Sequence, residues 1–210
     1  MILVPYHEAK TYIKEADVLL FRGEGLISWL IKRYGSGVHS HAGMAHWDGD
    51  NLECLEFREF KGGRGVSLER QVETHPDNID VFRVSPIISV NSFKNKSTET
   101  PYKHDSKKIC FTDDVAKKTT DVMLDLTGLP YGWKNFWKLG KHYLPFVRLA
   151  KQNIKDDDPT DVFVCSTAVA YAFRKAYIDP VPYLADAAVM PADLARSALF
   201  KYQFTISKDW

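Results

Sequence analysis

At 210 residues, with 45% hydrophobic and 26% charged residues, the chain suits one globular domain and excludes a disordered segment. A formal net charge of +1 argues against nucleic acid as a partner, because such partners are held largely by excess positive charge. Three cysteines, at 54, 110 and 165, form neither a disulfide framework nor a CxxC zinc pair, so no metal and no cofactor is expected. The opening Met-Ile-Leu-Val-Pro-Tyr-His-Glu has no basic segment followed by a long apolar one, and no apolar run of 18 residues occurs. The expectation is a cytoplasmic protein without signal peptide or transmembrane segment, in a reducing setting that keeps thiols free.

In chain order, Glu15 to Phe21 reads as a short buried strand closed by Arg22-Gly23. Gly25 to Tyr34 follows with Leu26, Trp29, Leu30 and Arg33 at helical spacing, and Gly35-Ser-Gly37 ends that helix. Asp48-Gly-Asp-Asn51 lies between two strand-like runs, Ser40 to Trp47 and Leu52 to Phe57, which is a hairpin pattern. Two registers fit. A two-residue Asp48-Gly49 turn sets His41 directly opposite Glu56; a four-residue turn, Asp48 to Asn51, sets it diagonal to Glu56. Both leave His41 and Glu56 on one face and Glu53 on the other, because side chains alternate with period two.

Residues 62 to 80 read as loop, and Val81 to Val84 as a strand. A polar stretch at about 85–110 reads as an exposed excursion. Thr112 is the expected N-cap of a helix running to about Leu126, which Thr127-Gly-Leu-Pro-Tyr-Gly132 stops. At about 133–160, Trp133, Phe136, Trp137, Tyr143 and Phe146 are interleaved with Lys134, Lys138, Lys141 and Arg148. This insertion reads as helices covering the core and, lying between Tyr131 and Cys165, as a substrate lid. A lipid-facing surface is the less favoured alternative.

Three apolar residues then run into Cys165, and Ala168, Ala172 and Ala176 follow at i, i+4, i+8, so Cys165 opens a tightly packed helix. Unpaired N–H groups and the positive end of the helix dipole favour a thiolate there. With His41 as base and Glu56 to orient the imidazole, Cys165 has the partners of an activated nucleophile, and its own N–H is a candidate oxyanion donor. Glu56 is expected to act through His41 rather than through folding. The remaining histidines, His7, His39, His46, His75, His104 and His142, have no comparable context in the sequence.

Ser40-His-Ala-Gly-Met44, the spacing of His41 and Glu56, Gly128-Leu-Pro-Tyr131 and Val164-Cys-Ser-Thr-Ala-Val169 together resemble the circularly permuted papain-like cysteine hydrolases, in particular the YiiX-like branch of the NlpC-type cell-wall peptidases. Ala16-Asp17 resembles the family's opening Gly-Asp strand, with alanine in place of glycine, a change the fold is expected to tolerate. Val189-Met-Pro-Ala-Asp-Leu194 resembles its closing Pro-Asp-Leu helix start. The resemblance covers residues 16 to 60 and 112 to 200. It implies an α+β, permuted papain-like fold in residues 1 to 210, with an antiparallel sheet packed on the helix that carries the nucleophile. It further implies Cys165 as nucleophile, His41 as base, Glu56 as orienting acid, and Tyr131 lining the site or donating to the oxyanion.

The function expected is a cysteine hydrolase cleaving an amide or isopeptide bond in a peptide, a peptidoglycan fragment or an acyl-bearing small substrate. The alternatives are an acyltransferase or thioesterase of the lecithin retinol acyltransferase type, and a non-catalytic binding module of the same fold.

Overall fold

The structure, a computed structural model, describes residues 1–24, 26–85, 87–91, 106–132, 164–182 and 184–209. Its elements in chain order begin with β1 (Leu3–Pro5), α1 (Tyr6–Tyr12), β2 (Val18–Phe21), α2 (Leu26–Gly35), β3 (His41–Asp48) and β4 (Asn51–Arg58). There follow β5 (Gly62–Ser67), α3 (Leu68–Thr74), β6 (Ile79–Val84), β7 (Ile87–Asn91), β8 (Ser106–Cys110) and α4 (Asp113–Asp125). The chain closes with α5 (Cys165–Lys175), a single 3-10 turn (Asp186–Ala188), α6 (Pro191–Arg196) and β9 (Phe200–Ser207).

Seven strands form one sheet in the order β1-β9-β6-β2-β3-β4-β5. Its pairs are antiparallel except β1 with β9, which run parallel, so the antiparallel sheet expected from sequence carries one parallel edge. Period-two alternation splits the apolar side chains between two cores. Val18, Leu20, Met44, Leu55 and Phe57 pack with Ala168, Val169, Ala172 and Phe173 of α5 on one face. Leu19, Phe21, Ala45, Leu52 and Cys54 pack with Leu68 and Val72 of α3 on the other. The sheet is therefore sandwiched between helices, with α5 held close by its fully buried alanines.

The hairpin takes the wider of the two expected registers. Asp48 pairs with Asn51 and Gly43 with Glu56, leaving His41 diagonal to Glu56 on the same face. Thr112 caps α4 by accepting from the Val115 N–H at 3.4 Å, as expected. Ala16 takes φ +62°, a left-handed conformation that costs an alanine about 1–2 kcal/mol. Its buried methyl returns roughly 0.8 kcal/mol of that cost.

One expectation fails. Residues 62 to 80, expected as loop, hold β5 and α3, the latter started by Ser67, whose Oγ accepts from the Arg70 N–H at 3.4 Å. Glycine-rich Gly62-Gly-Arg-Gly65 disguises β5, because the strand is made by its pairing with β4 rather than by its own propensity. Within the excursion expected at about 85–110, β7 and β8 pair antiparallel, Ile87 with Cys110 through Asn91 with Ser106. The aromatic–basic insertion at about 133–160 lies outside the described residues.

Gly62 is the tightest point of this frame. It takes φ +68°, and a Cβ there would come 2.1 Å from the carbonyl oxygen of Leu129. The same carbonyl accepts from the Gly63 N–H at 2.9 Å, pinning β5 to the stretch that leads to Tyr131. Gly62→Ala adds left-handed strain to a clash with backbone, so urea unfolding should show a loss of about 2–4 kcal/mol. Gly49→Ala, at φ +59° with open space around it, should lose only the strain, about 1–2 kcal/mol.

Candidate active site

Cys165 is the first residue of α5. Thr167 Oγ1 accepts from the Val164 N–H at 2.9 Å and donates back to the Val164 carbonyl at 3.1 Å, which fixes the entry of the chain into the helix. Ser166 Oγ donates to the Val189 carbonyl at 2.7 Å and anchors the same turn from the other side. The first intrahelical bond runs from the Ala168 N–H to the Val164 carbonyl, so the N–H groups of Cys165, Ser166 and Thr167 precede the hydrogen-bonded ladder.

His41 is the first residue of β3 and lies 2.7 Å, through Nε2, from Glu56 Oε2. The edge of the imidazole meets the Phe21 ring, centroids 5.1 Å apart at 61°, which limits its rotation. Cys165 is near enough to act on the ring electrostatically. Burial alone would lower the basicity of His41. Attraction to Cys165 and to the Glu56 carboxylate outweighs burial and pushes the pKa up to about 10.

Glu56 is 1% exposed and fully bonded. Oε1 accepts from Arg64 Nε at 3.0 Å, Arg64 Nη2 at 2.5 Å and Gln71 Nε2 at 3.1 Å, and Arg58 Nη1 stands 3.8 Å from Oε2. Burial would raise its pKa; the His41, Arg64 and Arg58 partners overcome that and bring it down to about 2. Directly opposite Glu56, Gly43 leaves the space: a Cβ there would stand 2.4 Å from Cys54 Sγ.

The site thus joins the two layers of the fold. By strand alternation His41 and Glu56 belong to the face covered by α3, whereas Cys165 rises from α5 on the opposite face. They meet because His41 begins its strand, at the end of the sheet. Tyr131 is buried 8% exposed against the α5 core. Burial, then Cys165, then the charge of Glu59, raise its pKa strongly, so the phenol keeps its proton. A cleft of about 650 Å³ opens at His41, lined also by Phe21, Ser40, Arg58, Phe60 and His75.

The sequence missed Arg64 and Gln71. Arg64 is the direct cross-strand partner of Glu56 on β5, and Gln71 comes from α3, both in the stretch expected as loop. Ser67 followed by an acid in the first turn was the available signal. The other histidines also need correction, since three have carboxylate partners: His7 with Asp209 at 2.8 Å, His39 with Asp80 at 2.7 Å, and His46 with Glu15 at 2.7 Å. His46 and Glu53 do fall on the face away from His41. Cys54 is fully buried, and burial followed by the Glu56 charge pushes its thiol well up.

No family model matches the chain, and no curated protein matches it. Among solved structures, the metalloprotein YiiX of Escherichia coli O157:H7 superposes with a TM-score of 0.59 at 12% identity, covering 94% of this chain and 98% of that one. The chain therefore has a YiiX-like fold. Among the described residues no three His, Cys, Asp or Glu side chains cluster as metal ligands, and both oxygens of Glu56 are engaged by nitrogen donors.

These contacts change what Glu56 does for stability. Glu56→Gln cannot accept from Arg64, Gln71 and His41 together, so it should lower unfolding free energy by about 2–4 kcal/mol as well as impair the site. Glu53→Gln should stay within about 0.5 kcal/mol of wild type, both measured by urea titration.

The pH dependence follows from the two shifts. His41 is raised, so its contribution is complete below its ordinary value of 6.5 and fades as pH climbs toward about 10. Glu56 is lowered, so its contribution is complete above its ordinary value of 4.5 and fades as pH falls toward about 2. Stability measured across pH should therefore peak between those ordinary values, and Cys165→Ala should flatten the alkaline limb by removing the main charge that raises His41.

Proposed function

We propose that the chain is a cysteine hydrolase of permuted papain-like type, cleaving an amide or isopeptide bond in a peptide or other acyl-bearing substrate. The observation that carries this reading is His41, bonded at 2.7 Å to a buried, ionised Glu56 and near enough to Cys165, at the first residue of α5, to interact with it electrostatically. A nucleophile at a helix start, a base bonded to it and a fixed acid behind the base are the parts that thiol catalysis needs.

With Nε2 engaged by Glu56, Nδ1 of His41 is the nitrogen that takes the thiol proton. The Cys165 sulfur then attacks the substrate carbonyl carbon, and its oxygen becomes an oxyanion. The Cys165 N–H, ahead of the helix ladder, would donate to that oxygen, and the protonated Tyr131 phenol is the candidate second donor. Collapse of the intermediate breaks the C–N bond as His41 returns its proton to the leaving amine, leaving a thioester on Cys165. Water, deprotonated by His41, attacks the thioester, and the acid leaves with the thiol restored. Glu56 keeps its charge throughout and stabilises imidazolium without taking the proton.

Iodoacetamide at pH 6 tests the assignment through peptide mapping. Cys165 should be alkylated in preference to buried Cys54 and to exposed Cys110, and the preference should vanish in His41→Ala. Equal modification of Cys165 and Cys110 in the native wild type would remove the nucleophile assignment.

A further inference from the structure

The turn that joins β4 to β5 is built against local preference. The Lys61 N–H donates to the Arg58 carbonyl at 3.1 Å, closing a four-residue turn over Arg58-Glu59-Phe60-Lys61. Its second central residue, Phe60, takes φ +63°. Turns with positive φ at that position ordinarily use glycine or asparagine, and a bulky side chain there is an outlier. Burial does not explain the choice, since Phe60 is 87% exposed, more than the other large apolar residues described.

Position does. Phe60 lines the cleft at His41, together with Phe21 and Arg58. The turn is also held rigidly. Gly62 sits against the Leu129 carbonyl, and Gly63 exchanges backbone hydrogen bonds with the Leu126–Tyr131 stretch, donating to Leu129 at 2.9 Å and accepting from Gly128 at 2.8 Å. The charges of Arg58 and Glu59 are near enough to act on Tyr131, which in turn feels Cys165. A phenyl on strained backbone is thus carried on a pinned turn at the cleft that opens at His41. Strain kept at a cleft is characteristic of residues that serve a ligand rather than the fold.

We infer that Phe60 is a specificity-determining residue whose ring stacks on an apolar or aromatic group of the substrate beside the scissile bond. The inference rests on the reading of Cys165 as nucleophile. It assigns this subsite to planar or bulky apolar groups, because an exposed ring gains most by covering another ring or a hydrocarbon face. Glycine at position 60 would remove the platform while easing the turn.

Two probes of Cys165 separate the possibilities: iodoacetamide, which is too small to reach the subsite, and N-benzyl iodoacetamide, which carries a ring. Second-order alkylation rates at pH 6 are measured for wild type, Phe60→Gly and Phe60→Tyr, with melting temperatures alongside. The ratio of benzyl to parent rate should fall about tenfold in Phe60→Gly and be retained in Phe60→Tyr, with iodoacetamide rates equal in all three. The melting temperature of Phe60→Gly should equal or exceed that of wild type. An unchanged ratio in Phe60→Gly overturns the subsite even when Cys165 labels normally, and so does a fall in melting temperature, which would give the ring a structural role. Failure of iodoacetamide to favour Cys165 in wild type removes the nucleophile and the subsite with it.

Discussion

A carboxylate buried at Glu56 must be neutralised where it stands, and much of the fold around the site answers that requirement. An isolated charge in the interior costs several kcal/mol, so Glu56 persists only with Arg64, Gln71 and His41 all in place. Arg64 requires β5 in register with β4; Gln71 requires α3 to follow β5 without a gap; His41 requires the β3–β4 hairpin in its wider register. Gly43 completes the arrangement from the opposite strand by presenting no side chain. One acidic side chain thereby ties three strands and a helix to the position of one imidazole.

A second buried acid braces the same region from the other side. Asp80 on β6 accepts from Arg22 Nε at 2.9 Å and Thr205 Oγ1 at 2.6 Å and binds His39 Nε2 at 2.7 Å. His39 and His41 flank Ser40, whose N–H donates to the Phe21 carbonyl at 2.8 Å. The start of β3 is therefore held by acids from two different strands, Asp80 on β6 and Glu56 on β4. Phe21, whose ring packs at a steep angle on His41, is bonded into the middle of this clamp.

The elements legible in the sequence are those whose signals are local. Asp48-Gly-Asp-Asn51 announces its hairpin, alternation puts Glu56 rather than Glu53 beside His41, and the alanine spacing after Cys165 identifies α5 as a close-packed helix. What was not legible depends on partners distant in sequence or on broken local rules. β5 is strand-like only through β4, and the turn before it has phenylalanine where a reader looks for glycine. Arg64 and Gln71 were lost with that stretch. The acids of His39 and His46 lie 41 and 31 residues away, beyond any hairpin parity argument. β1, α1 and β9 went unread as well: β1 has three residues, and its parallel pairing joins the two ends of the chain.

The opposed shifts of Glu56 and His41 also bear on which groups can move a proton. With Glu56 down at about 2 and His41 up at about 10, the proton between them stays on nitrogen near neutral pH. Glu56 is then a fixed charge, and proton traffic in the proposed reaction is confined to His41, the Cys165 sulfur and the substrate. Tyr131, held protonated by burial, takes no part in that exchange. Such a set works identically in forming a thioester whether water or another nucleophile later removes the acyl group. The distinction between hydrolysis and acyl transfer therefore falls to whatever enters the cleft beside His41. There, a rigid turn carrying Phe60 at a position that favours glycine is the feature best placed to choose among entrants.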